Sequence, residues 1–169
     1  GDDDKCHDIR EGVGPAEDLF AITKNTECRD DGRIDFSEFI ADVQQRPDRI
    51  LIEPSGLGHP AQVLDTLTGP LYAGILEVRA TVCLVDARHL SSPRHLEHPN
   101  FQDQIHLADV LVANKADLYR PADNRAFEDF VARLTPPKQK FACVEHGAAD
   151  PAWLDLGRSM ARQAAFPEA

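Results

Sequence analysis

The sequence predicts an α/β fold: a mostly parallel sheet of about four strands with helices on its faces. Three short apolar, β-rich runs, Ile50-Leu51-Ile52, Ala80 to Val85 and Val110 to Ala113, each end on a polar residue: Glu53, Asp86 and Asn114. Runs of this kind suit strands covered on both faces. Between and after them, apolar residues recur at helical spacing around Val63, Leu64 and Leu67, over residues 101–108 and over residues 121–134. Strands alternating with helices are the pattern of parallel βα units. The 169 residues suffice for one domain, or one domain with a small appendage.

Composition narrows the function classes. Hydrophobic content of 42% and charged content of 28% are ordinary for a globular protein. A net charge of −11 argues against nonspecific binding to nucleic acid or to an anionic membrane, though not against one nucleotide in a local pocket. No apolar run approaches the roughly 20 residues of a membrane span, and the acidic start GDDDKCHD is not a signal peptide. The four cysteines, Cys6, Cys28, Cys83 and Cys143, form no CxxC pair. Cys83 and Cys143 lie in apolar runs and read as core, and the pattern fits a reducing, cytoplasmic compartment.

Residues 1–45 read as an N-terminal extension and 46–169 as the main domain. Within the extension, residues 16–24 suit a short helix with Leu19, Phe20 and Ile22 on its apolar side. The following CRDDGRIDFSEFIADV resembles the second half of an EF-hand, which makes the segment a degenerate helix-loop-helix. Gly32 permits the sharp turn, Asp31 takes the fifth loop position, Asp35 the ninth and Glu38 the twelfth, implying a calcium site. Glu27 at the first position and Arg29 at the third depart from the pattern, since a cation there opposes calcium. The alternative is a turn leading into an amphipathic helix over residues 36–45.

From Arg46 the strand-and-helix alternation begins. Pro47 ends the preceding helix, and the first apolar run stops at Glu53. Pro54-Ser55-Gly56-Leu57-Gly58 follows, where glycines let backbone N–H groups approach a phosphate. Ligands of open α/β sheets sit where strands end, and a carboxylate there can hold magnesium or its water. Pro60 opens a helix that Gly69-Pro70 stops. Residues 91–100 read as a loop. His89, His95, His98 and His106 around it suit either a transition metal or a polar surface, and the absence of an HxxxH pair or a cysteine favours the surface. After the helix over 121–134 come a last strand, KFACV, and a closing helix over 152–165 around Trp153, Leu154, Leu156 and Met160.

The most specific signal is Asn114-Lys115-Ala116-Asp117 directly after a buried strand. An aspartate carboxylate accepts from both N1–H and the exocyclic amine of guanine, which adenine cannot reproduce. Asn114 reaches the other edge of the base or ties neighbouring loops, and the Lys115 stem covers a ring face.

Together with Arg46-Pro47-Asp48-Arg49, Ile52-Glu53-Pro54-Ser55-Gly56-Leu57-Gly58-His59-Pro60, Asp103-Gln104-Ile105 and Ala108-Asp109, this motif resembles the GTPase domain of the CobW family of metal-chaperone G proteins, in the same broad group as HypB and UreG. The resemblance implies a P-loop-NTPase-like fold that binds GTP or GDP with magnesium. Glu53 would be the catalytic-site acid near magnesium, Ser55, Gly56 and Gly58 the loop that senses the γ-phosphate, and Asn114, Lys115 and Asp117 the guanine reader. It also implies zinc or cobalt as cargo and a metalloprotein client. Two departures stand out. No GxxxxGK(S/T) phosphate loop occurs in the sequence, and the family's thiolate cluster is represented only by Cys28. The chain therefore reads as the C-terminal part of such a domain joined to an unrelated or diverged front end; the alternative is a calcium-binding EF-hand-like module on a non-catalytic GTPase-like scaffold. Weak nucleotide binding and little hydrolysis are expected unless a partner or another segment supplies the loop.

Overall fold

The computed structural model describes residues 21–26, 47–54 and 60–162. The chain divides into two compact units, Gly1–Gly58 and His59–Ala169.

In the first unit, β1 (Ala21–Thr26) pairs in parallel with β2 (Arg49–Pro54), Ala21 opposite Arg49 and Asn25 opposite Glu53. The helix expected over residues 16–24 is therefore corrected at its C-terminal end. Ile22, Thr23 and Thr26 are β-branched, and strand pairing satisfies the backbone where the short apolar cluster could not sustain a helix. The EF-hand-like loop lies outside the described residues.

The second unit is built on a three-stranded parallel sheet in the order β3 (Val82–Val85), β4 (Val110–Ala113), β5 (Lys140–Cys143). The fold is α/β, a parallel sheet flanked by helices, but its strands fall into a pair and a triplet. The central strand β4 is buried at every residue, which explains its unbroken apolar sequence. At the flanking strands the outward residues stay open: Leu84 is 64% exposed and Phe141 50%. Cys143, expected in the core, is exposed on the edge strand β5, while Cys83 is buried.

Among the described residues four helices punctuate the sheet, each opened by a proline whose missing N–H falls among the donors a first helical turn leaves unused. The first, α1 (Pro60–Leu67), buries Val63, Leu64 and Leu67. It stops at Gly69, where a Cβ would press to 3.1 Å against the Asp65 carbonyl. The stretch 91–100, read as loop, contains a single turn, α2 (Pro93–Leu96), and the start of α3 (Pro99–Leu107). The fourth, α4 (Pro121–Ala132), is capped by the Asp123 carboxylate, which accepts from the Arg120 N–H at 2.8 Å. Phe127 and Val131 of α4 and Ile105 of α3 pack with Cys83, Val85, Leu111 and Ala113 in one core. Phe127 also meets Phe141 edge-on at 6.2 Å between ring centroids.

The closing helix expected over 152–165 is corrected. Pro151–Asp155 forms a 3-10 turn, and the chain then extends, with Gly157 bridged to Arg79 and Ala80 donating to the Leu156 carbonyl at 2.8 Å. Gly157 in mid-segment disfavours a helix, and sheet-like pairing takes over its backbone bonds. Met160 is 80% exposed rather than packed. The segment is held by Asp109, whose carboxylate accepts from the N–H groups of Thr81 and Ser159 and from Gln139 Nε2, at 3.0–3.1 Å. No described helix is long and apolar enough to cross a membrane.

Candidate functional site

Because β3, β4 and β5 run parallel, their carboxyl ends lie along one edge of the sheet, and the segments leaving them are neighbours. The β4 exit carries Asn114, Lys115 and Asp117. Asn114 stays in register, its N–H donating to the Val85 carbonyl at 3.0 Å. Lys115 then takes a left-handed conformation, φ 66°, which swings the chain into the 3-10 turn Ala116–Leu118. The turn is fixed from β5 by the Ala116 N–H donating to the Val144 carbonyl at 3.0 Å.

The Asn114 side chain ties the loops together. Its Oδ1 accepts from the Lys115 N–H at 2.8 Å and from the Gly147 N–H at 3.0 Å. Gly147 has φ 73° and follows His146 at φ 50°, so the loop after β5 bends through two left-handed residues to bring that N–H inward. Of the two roles open to Asn114 in the sequence, the structure displays the loop tie. Asp117 and Lys115 are exposed.

The β3 exit adds residues that the sequence reading did not single out. Asp86 caps a 3-10 turn (Ala87–Ser91) by accepting from the Arg88 N–H at 3.1 Å. Its two carboxylate oxygens also take the Arg88 guanidinium, at 2.9 Å from Nε and 2.6 Å from Nη2, and the Lys115 ammonium stands 4.0 Å away. The hydrogen bond from the Arg88 side chain, opposed by burial, is the main cause that lowers the Asp86 carboxyl to about 2. The available signal was its position: like Glu53, Asp86 ends an apolar run. Tyr119, which joins this turn to Asn114, carried no signal in the sequence.

Other expected site residues fall elsewhere. Glu53 is exposed at the end of β2 in the first unit. Ser55, Gly56 and Gly58 lie outside the described residues, as do Cys28, Asp31, Asp35 and Glu38. Among the described residues no group of three His, Cys, Asp or Glu side chains could hold a metal ion. His89 and His95 stack face to face at 4.6 Å, in keeping with a surface cluster.

A parallel sheet with its polar loops gathered at the strands' carboxyl ends is the architecture of nucleotide-binding α/β domains. The chain belongs to the CobW/HypB/UreG family: the model of that family's nucleotide-binding domain matches residues 6–142. It is similar to the zinc chaperone YeiR of Escherichia coli (strain K12), with 43% identity over 115 residues, 68% of this chain and 35% of that protein. It is also similar to the zinc chaperone CobW of Sinorhizobium sp, with 25% identity over 167 residues, 83% of this chain and 47% of that protein. The chain thus spans less than half the length of these curated relatives. No solved structure matches it.

Proposed function

We propose that this chain supplies the guanine-binding part of a metal-chaperone GTPase. The observation that carries the reading is the Asn114 side chain accepting from both Lys115 and Gly147, which holds the loop after β4 against the loop after β5 and leaves Asp117 exposed beside them. In this reading the Asp117 carboxylate accepts from guanine N1–H and the 2-amine, and the Lys115 stem covers one face of the base. A preformed loop spends little ordering entropy on binding.

Phosphate contacts come from elsewhere. By resemblance to the family, the γ-phosphate falls to Ser55, Gly56 and Gly58, and magnesium or its water to the Glu53 carboxylate. Magnesium keeps near-octahedral oxygen ligation and is held by one or two carboxylates together with phosphates, so an exposed single carboxylate fits that role. When bound, the ion neutralises developing phosphate charge. The 169 residues contain no GxxxxGK(S/T), so tight triphosphate binding and hydrolysis need that loop from another segment or a partner. Zinc as cargo is supported by the likeness to two zinc chaperones, with Cys28 the thiolate nearest the expected metal position.

Binding of a fluorescent GDP analogue in magnesium buffer tests the reading. Saturable binding, displaced by GDP but not ADP and lost in Asp117→Ala, is the expected result. Absence of binding up to millimolar nucleotide overturns it.

A further inference from the structure

Asp117 is the residue on which base discrimination turns, yet among the described residues no protein hydrogen bond holds its carboxylate. Its position is set by the backbone of the turn that carries it. That turn is closed by Tyr119. The Tyr119 N–H donates to the Ala116 carbonyl at 3.0 Å, and the Leu118 N–H to the Lys115 carbonyl at 3.0 Å. The Tyr119 hydroxyl reaches back and donates to the Asn114 carbonyl. The same oxygen accepts from the Ala87 N–H at 2.9 Å. One phenol therefore closes residues 114–119 into a ring and fastens that ring to the turn after β3, whose Ala87 is 2% exposed.

We propose that Tyr119 is a positioning residue for guanine recognition, acting through the Asn114 carbonyl to fix the turn that presents Asp117; this rests on the guanine-binding reading above. Two bonds of the hydroxyl are used, one as donor and one as acceptor, so phenylalanine at this position keeps the ring packing and removes both. Burial raises the pKa of the phenol, so the donated proton is retained at neutral pH. Without the hydroxyl the Asn114 carbonyl and the Ala87 N–H lose a partner, and the turn gains freedom where placement of a carboxylate to within a fraction of an ångström decides selectivity.

The test compares GDP with inosine diphosphate, which lacks only the 2-amine, in the wild type, Tyr119→Phe and Asp117→Ala. The wild type is expected to prefer GDP by about tenfold or more, since a site built to pair an amine discriminates against its absence. Tyr119→Phe is expected to reduce that ratio at least threefold with an unchanged circular dichroism spectrum. If Tyr119→Phe weakens both nucleotides equally, or changes neither, Tyr119 is only structural and the proposal is overturned while the guanine reading stands. If the wild type binds no guanine nucleotide, both fall. Should Tyr119→Phe fail to fold, the two tyrosines allow a direct measurement on the native residue. Carbon NMR of tyrosine labelled at Cζ, assigned with Tyr72→Phe, is expected to show the Tyr119 resonance moving with GDP and not with ADP. An unmoved resonance overturns the proposal.

Discussion

The Arg162 guanidinium donates its Nε–H to the Asp109 carboxylate across 2.9 Å, with both side chains withdrawn from solvent. Its remaining donors reach the carbonyls of Pro136 and Pro137 at 3.3 and 2.6 Å. A charge pair this deep contributes little over an apolar pair of the same shape, but removing one partner strands the other in a medium that cannot solvate it. Arg162→Ala is therefore expected to lower the unfolding free energy by about 3–5 kcal/mol, read as a shift of the urea midpoint. A loss under 1 kcal/mol would show that water reaches Asp109.

Lys138 gives the domain a pH signature. Its ammonium donates to the carbonyls of Ile105 and Ala108, but burial, reinforced by the nearby Arg162 charge, lowers its pKa to about 8. The folded state then holds fewer protons than the unfolded chain between pH 8 and the ordinary lysine value of 10.5, so this contribution to stability rises with pH through that window. Cys83 acts in the opposite sense: burial pushes it up to about 12, and its contribution declines as pH rises above 9. Between pH 8 and 9 the lysine acts first. The wild-type thermal midpoint is expected to rise over that interval, and the rise should vanish in Lys138→Met.

At acid pH the relevant group is Asp86. Its lowered pKa means that its stabilisation is present above about pH 4 and lost as pH falls towards 2. Asp86→Asn leaves Arg88 and Lys115 without their shared carboxylate, so the variant is expected to be less stable at pH 7 and to lose less on acidification. Acid titration followed by circular dichroism compares the two slopes; parallel curves would mean that solvent already screens the Arg88 pair.

Base selectivity should be switchable at one atom. Xanthine carries a carbonyl where guanine carries the 2-amine, so Asp117→Asn, which exchanges an acceptor for a donor, is expected to weaken GDP at least tenfold and to favour xanthosine diphosphate. Competition between the two diphosphates measures the exchange. An unchanged order of preference would remove Asp117 from the base edge.

Much of this architecture was legible because it rests on local pattern. The unbroken apolar run Val110–Ala113 reads as a strand, and Pro60 and Pro121 mark helix starts that the structure keeps, whereas the helix start at Pro99 was read as loop. Errors arose where long-range pairing overrides propensity. Residues 21–24 pair with β2 instead of coiling, and residues 156–159 are drawn to the sheet edge by Ala80 and Asp109. Within the candidate site, the Asn-Lys-Ala-Asp motif was visible as letters. The network beneath it was not, since Ala87 meets Tyr119, and Gly147 meets Asn114, only after three strands are laid side by side.

The left-handed backbone of Lys115 has a consequence for how this position responds to substitution. A residue with a Cβ at φ 66° sits about 1–2 kcal/mol above its relaxed state. Glycine there would relieve that tension and raise the melting temperature, yet it would delete the ammonium that stands 4.0 Å from Asp86 and the stem that, in the proposed reading, covers the base. Robustness and recognition therefore pull in opposite directions at a single Cα. Under selection for durability alone this lysine should drift to glycine; its persistence would be a record of the ligand's demand.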